Sequence, residues 1–572
     1  MDTRRRFFNT DDDFSNFIGY KVILNDEWVL SREDNLSPEL YDGAYKSEGS
    51  SNSSVMYIHI NGLTHFRLWV SSPSSSSYEW VLVSTLDSNI NSTTNKNDTT
   101  LVKGSSIKGS IESFLGYTQI DFDNIDEGYH VITIVFKKNN SSSNSSGYLI
   151  IRDPSKTPNS GAIDINKFLT MEALEDNMQV SLTGSPCHYC INGDGVWKYL
   201  NSGDYSDPIK SGHTISFRGE SVPTNKGIGQ FVVNKKFNLL GDAMSMFVDI
   251  KLNYLYNIEY AFRDLFKNAT KLISVSNSFL SQSSLSKYCY FGMFYGCSSL
   301  TNAPSLPASR TTDGCYYSMF EGCSSLLKAP ELNATYISDS CYRQMFKGCR
   351  ALVNAPELPA TTANAYAYHW YMDMFSDCTS LKYGPSKLPM LKLYSFCYSS
   401  MFKGCINLEI APEILATEMR TSYGDDSHCR DMFYGCTSLK NAPDLNATKI
   451  GDYCYYGMFE NCINLEYAPS ILPAETTYSY CYCRMFRGCS KLSSSPELPS
   501  QTLSDHCYYS MFSGCSNLNY IKCLAIDKSA SYCTYQWVLN VPKAGLFIKN
   551  SSSTWSYGDN GIPTGWEVQS NT

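Results

Sequence analysis

The sequence predicts a multidomain chain: an N-terminal all-β sandwich and a small β domain, followed by an α/β repeat solenoid with a C-terminal cap. Three observations carry this. A motif of the form CYxxMFxGC recurs nine times, with methionines at Met293, Met319, Met345, Met374, Met401, Met432, Met458, Met485 and Met511. Self-similarity at a period of roughly 20–50 residues marks stacked units. Residues 55–153 alternate β-branched and aromatic runs with Ser/Asn-rich stretches, the pattern of short strands and polar loops. Degenerate copies flank the array, YAFRDLFKNATKL at 260–272 and CTYQWVLNVP at 533–542, as a stack requires to close its ends.

In chain order, residues 1–54 are expected as an N-terminal arm. They open with three arginines, but FFNTDDDF follows where a secretory signal needs an apolar core. Synthesis in the cytosol is expected on that ground. Residues 55–153 form the sandwich, through SVMYIHING, FRLWVSS, YEWVLVST and HVITIVFKK, and 154–165 the linker. The small β domain covers 166–255, centred on PCHYCINGDGVWKYL, a hairpin with an Asn-Gly-Asp-Gly turn. The solenoid covers 256–540 in about eleven units, and 541–572 form the cap.

Each unit has two halves. Cys289, Met293 and Cys297 recur at i, i+4 and i+8, beside Tyr290 and Phe294. That spacing predicts one apolar face of a short helix, closed by Gly296. An extended segment follows, SLTNAPSLPA at 299–308, whose proline keeps any strand short.

The 22 cysteines invite a chemical reading. Seven residues separate the pair in seven of the nine copies, against the C-x2–4-C spacing of zinc knuckles. On one helix face the two would lie about 12 Å apart, beyond the roughly 7 Å a disulfide spans. A disulfide between neighbouring units stays geometrically open. The plain reading is a buried core ladder of Cys289, Met293, Cys297, Cys315, Met319, Cys323, Cys341, Met345, Cys349, Cys454, Met458, Cys462, Cys507, Met511 and Cys515. Unpaired cysteine behaves as a small hydrophobe, and Trp370 replaces the first cysteine of one copy. Cys187 and Cys190 sit in a hairpin strand and read as structural. The eight histidines are scattered and no nucleotide or hydrolase motif occurs. No catalytic residue, metal or cofactor is therefore expected.

The net charge of −9 argues against a nucleic-acid partner. No apolar run reaches the roughly 18 residues that would insert in a membrane. Recognition is better sought in positions that vary between copies. One column lies two residues after the first leucine: Asn302, Asn354, Tyr383, Asn441, Tyr467 and Tyr520. Another precedes the second leucine: Glu331, Glu357, Glu413, Asp444 and Glu497. With the leucines inward, these residues form a candidate binding face suited to carbohydrate or protein.

The pattern MF-x-G-C-x-S-L-x-x-A-P-x-L-P resembles the BspA-type (Treponema-type) leucine-rich repeat, over roughly half the chain. The resemblance implies a curved leucine-rich-repeat solenoid with the candidate face on its concave side. The block FLTMEALEDNMQVSL and the tail VPKAGLFIKN resemble segments beside such repeats in surface proteins of gut Bacteroidetes and their phages. The domain order is similar to virion proteins of crAss-like phages. It implies a non-enzymatic fibre, tail or capsid-decoration protein on the virion surface. Its arm would bind other virion proteins, its repeats would bind host surface glycan or protein, and a homo-oligomer is expected. The alternatives are a bacterial cell-surface adhesin and, third, a carbohydrate-active enzyme.

Overall fold

The motif repeats with a strict period of four: Cys289, Met293, Cys297 and, beside them, Tyr290 and Phe294. A helix turns in 3.6 residues, so eight positions drift about 80° around it. The chain resolves the mismatch with turns. The computed structural model describes residues 163–219, 227–250, 255, 258–364, 367–419 and 426–571, and the strand backbones between 19 and 152. The described residues are rich in strands and contain short 3-10 turns but no α-helix.

In the copy at 288–297 the amides of Phe291, Met293, Tyr295 and Cys297 donate to carbonyls three residues back, at 2.9–3.2 Å. The intervening amides, of Tyr288, Tyr290, Gly292, Phe294 and Gly296, donate to Asp313, Cys315, Tyr317, Met319 and Glu321 of the next copy, at 2.7–3.0 Å. Every fourth residue is left-handed: Tyr288 (φ 55°), Gly292 (58°) and Gly296 (70°). The same triplet of positive φ recurs in eleven units, beginning at residues 260, 288, 314, 340, 369, 396, 427, 453, 480, 506 and 532. The expected helices are thus replaced by ladders of four-residue turns, interlocked from unit to unit. Gly296 does need its positive φ, but for a turn rather than a helix end.

All fifteen expected ladder residues are fully buried. All 22 cysteines are free thiols. The second cysteine of each copy also bonds: nine Sγ atoms, from Cys297 to Cys515, donate to the phenylalanine carbonyl of the preceding unit at 3.0–3.2 Å. Ten phenylalanine rings, Phe266 to Phe512, stack at 5.4–5.8 Å with planes within 11° of parallel. Such pairs add about 0.5–1.5 kcal/mol beyond their buried area. A tyrosine column runs beside them but is interrupted by Cys429. The Cys429 amide bonds Cys454 O as that of Tyr290 bonds Cys315 O. The shortened copy therefore places His428 in the first-cysteine position and Cys429 in the tyrosine position.

Two compact units divide the chain. The first, mainly Met1–Ile163, holds ten strands. These are β1 (Gly19–Leu24), β2 (Trp28–Leu30), β3 (Gly43–Ser47), β4 (Ser53–Asn61), β5 (His65–Ser71), β6 (Tyr78–Thr85), β7 (Ile111–Phe114), β8 (Tyr117–Asp123), β9 (Tyr129–Lys138) and β10 (Tyr148–Arg152). They form sheets β1-β4-β9-β6 and β2-β3-β10-β5-β8-β7, with antiparallel pairing throughout. This corrects the boundary at residue 54: β1 pairs with β4, and β3 with β10, so strands begin inside the segment expected as an arm. Residues 1–18 lie outside the described residues, as does most of the linker expected at 154–165.

The second unit opens with β11 (Leu169–Ala173), β12 (Val180–Gly184), β13 (Cys187–Ile191), β14 (Trp197–Leu200), β15 (Thr214–Gly219), β16 (Gly229–Val233), β17 (Phe237–Leu240) and β18 (Leu272–Val275). Strand β13 neighbours β14, with Asn192 (φ 51°) and Gly193 (64°) in the turn between them, as the hairpin motif predicts. The small domain seats the first repeat: β17 pairs in parallel with β18, and the Phe231 ring stacks on Phe266 at 5.5 Å.

Along the stack run β19 (Tyr336–Ile337), β20 (Thr362–Ala363), β21 (Lys387–Leu388), β22 (Lys392–Leu393), β23 (Glu413–Ile414) and β24 (Glu418–Met419). A parallel sheet of β25 (Ser494–Leu498), β26 (Tyr520–Cys523), β27 (Leu546–Asn550) and β28 (Glu567–Asn571) ends it. There Trp555 stacks on Trp537 at 5.5 Å and terminates the aromatic columns.

Phe346→Ala is expected to cost about 3–5 kcal/mol, read as a lowered urea midpoint; a shift below about 1 kcal/mol would refute the ring column as core. Burial pushes the thiols of Cys289, Cys297 and Cys341 up to about 12, against roughly 8.5 in an unfolded chain. The unfolded chain therefore loses these protons first. Their contribution to stability is complete below about pH 8.5 and declines as pH rises toward 12. The urea midpoint should fall steadily from pH 8 to 10.5, and a midpoint rising over that interval would contradict buried neutral thiols.

Candidate functional site

The strand half of each unit buries its leucines and exposes some of the residues beside them. Leu300, Leu306 and Ala308 are buried, whereas Ser305 and Pro307 are exposed. Parallel pairing aligns these segments from unit to unit, so positions that vary in sequence become columns in space.

The first expected column is brought together. Bridges join Asn302 to Lys328, Asn354 to Tyr383, Tyr383 to Ile410, and Asn441 to Tyr467, and Ser494 pairs with Tyr520. Tyr383, Ile410 and Tyr467 are 43%, 61% and 64% exposed, large apolar groups held in solvent. Asn354 and Asn441 are exposed as well, and Tyr520 is half-buried. Asn302 has a structural task, because its Nδ2 donates to Val275 O at 2.7 Å.

The second column departs from the expected acidic row. Glu331, Glu357, Glu413 and Asp444 are exposed and Glu497 is half-buried. The register, however, places Lys387 beside Glu413, and sets Glu497 between Ile471 and Lys522. Lys522 pairs with Glu497 at 3.0 Å. Glu357 is also engaged, accepting from the Ser386 amide at 3.0 and 3.1 Å and from its hydroxyl at 2.6 Å. The column is mixed in charge, and part of its acidity is spent joining units.

A third column was not anticipated. The residue after the first leucine is Leu327, Val353, Lys382, Glu409, Lys440 or Glu466 in successive units. Lys382 pairs with Glu409 at 3.4 Å, and Leu327 is 63% exposed. Its sequence signal was the alternation of Lys and Glu at one fixed offset. Further along, Glu418 lies between Lys449 at 3.1 Å and Lys392 at 3.2 Å. These two ammonium groups hold its carboxyl below the usual range.

The histidines follow the stack. His506 occupies a left-handed position (φ 54°) like Tyr288 and Tyr453 and lies between Tyr480 at 4.4 Å and Tyr532 at 5.1 Å. His369 stacks on Phe396 at 5.0 Å, and burial lowers its pKa. Cys187 and Cys190 are buried in β13. Among the described residues no group of three or more His, Cys, Asp or Glu is placed to hold a metal ion, and no helix is long and apolar enough to cross a membrane. Comparison with protein-family models, curated proteins and solved structures returns no match to this chain.

Exposed column residues carry little stability. Tyr383→Ala with Tyr467→Ala should move the urea midpoint by no more than about 1 kcal/mol in sum. A loss comparable to that of a core phenylalanine would show that they belong to the packing.

Proposed function

We propose that the chain is a non-enzymatic display protein whose repeat stack is a BspA-type leucine-rich-repeat solenoid that binds host surface glycan or protein. The observation that carries this reading is the contrast between the two halves of each unit. Cysteine, methionine, phenylalanine and leucine recur inside with little change. The exposed columns change from unit to unit, through Asn354, Tyr383, Ile410 and Tyr467, with Asn354 bridged to Tyr383 and Tyr383 to Ile410. Tyrosine, asparagine and carboxylates presented this way suit stacking and hydrogen bonding to a ligand.

We place the protein on a phage virion, as a fibre, tail or capsid-decoration component and as a homo-oligomer. The resemblance in domain order supports this, and so do the thiols. Twenty-two cysteines without a disulfide suit a chain that folds where thiols stay reduced. A virion protein does so in its host's cytosol. The second reading, an exported bacterial adhesin, would expose the same thiols to oxidation during folding. The attachment segment is proposed within residues 1–18, which precede the first described strand, Gly19–Leu24.

Mass spectrometry of purified particles should find the protein in them, and deletion of 1–18 should remove it from particles while the repeats still fold. Tyr383→Ala with Tyr467→Ala should lower binding of the purified protein to host cells at least tenfold. Absence from particles would move the assignment to the cell surface, and unchanged cell binding would remove the columns from recognition.

A further inference from the structure

The strand columns are interrupted at several junctions, for example between Lys328 and Asn354 and between Ile410 and Asn441, and one of these breaks lies between β20 and β22. On one side Arg310 bridges Tyr336, and β19 pairs with β20. On the other, β22 pairs with β24, and Glu418 bridges Lys449. Between β20 and β22 no backbone hydrogen bond is made, although the same two units stay joined at Asn354–Tyr383. The junction coincides with two departures from the repeat. The spacing from Met345 to Met374 is three residues longer than the commonest spacing of 26. Trp370 replaces cysteine, and its indole packs edge-on against Tyr394 at 5.6 Å.

An open depression of about 700 Å3 occupies this break. Leu358, Pro359, Met390, Leu391 and Leu415 give it apolar walls, and Lys387 and Lys392 stand at its border. Lys392 is paired with Glu418 at 3.2 Å. Lys387 has no ion-pair partner among the described residues. The edges themselves are polar. The Asn364 amide donates to Ile337 O at 3.0 Å. In a parallel ladder, alternate residues direct both backbone groups to one side, so the N–H and C=O of Ala363 face the break. Likewise the Glu418 amide donates to Leu391 O at 3.2 Å, which turns the backbone groups of Lys392 toward the break.

We propose that this break is a strand-accepting site: an extended peptide with an acidic side chain adds between β20 and β22. This deepens the reading of the stack as a recognition surface and rests on it. Main-chain hydrogen bonds to Ala363 and Lys392 would supply affinity, as in β-augmentation. The apolar walls take side chains from one face of the peptide, and Lys387 takes the carboxylate. A sugar acid would meet the same ammonium group but would leave the two strand edges unused, so the edges favour a peptide.

The test is a random octapeptide display selection on the full chain, followed by fluorescence anisotropy with the enriched sequences. Enriched peptides should carry Asp or Glu among β-branched residues. Lys387→Glu should weaken them at least tenfold, and exchanging the peptide's acid for lysine should recover binding to that variant. Ala363→Pro removes one edge donor and should weaken binding similarly. Should that variant not fold, N-methylation of the peptide's central amides tests the same hydrogen bonds on the intact protein. No enrichment, or peptides indifferent to Lys387→Glu and to N-methylation, would overturn the proposal. A uronic-acid oligosaccharide that binds through Lys387 where peptides do not would also overturn it. Host-cell binding that persists through Tyr383 and Tyr467 in those cases would leave the broader function standing.

Discussion

The repeat region depends on one alternation in its backbone. Every second amide of the turn half closes a four-residue turn, and every other amide reaches the next unit. An uninterrupted right-handed helix could not do this, because all its amides are consumed along its own axis. A left-handed residue at each fourth position reverses the chain's sense and frees alternate peptides to point along the stack. The cost falls on residues 288, 292 and 296 and their counterparts, at about 1–2 kcal/mol for each side chain other than glycine. Glycine, asparagine, aspartate and serine occupy many of these places.

The side-chain pattern follows from that alternation. Inter-unit hydrogen bonds set the step along the stack, and the phenylalanine rings can then lie about 5.5 Å apart only as near-parallel columns. The carbonyl of each such phenylalanine already accepts one amide in its own turn, and its second lone pair lies inside the core. The cysteine thiol of the next unit fills that place at 3.0–3.2 Å. Burial keeps the thiol protonated, which keeps it a donor. Cysteine is small enough to fit, apolar enough to bury and still able to donate weakly. Its recurrence thus needs neither metal nor disulfide.

Much of this was legible in the sequence, and the failures have physical causes. The number of units, the buried Cys-Met-Cys ladder and the alignment of Tyr383 with Asn354 follow from repetition alone. The turn ladder was signalled by the strict period of four, which a helix over nine residues tolerates poorly. Short apolar motifs are ordinarily read against only two templates, helix and strand, and neither admits a left-handed residue every fourth position. The place of Cys429 is not legible in the sequence, because a shortened copy aligns equally well on cysteine or on methionine; hydrogen bonding to Cys454 separates the two. The acidic column was read from the A-P-x-L copies that carry an acid. Lys387, Ile471 and Lys522 share its register but not its charge.

Recognition, on this account, uses what the scaffold leaves free. The interior holds register while the exposed columns vary, and the proposed peptide site lies at the break between β20 and β22. The central claim is the turn ladder itself, and Gly457 tests it most directly. It lies in mid-motif at φ 58°. Urea unfolding of Gly457→Ala should show a loss of about 1–2 kcal/mol, because alanine is strained in a left-handed turn. A gain of up to about 1 kcal/mol, the usual result of replacing glycine inside a helix, would contradict the ladder and restore the helix.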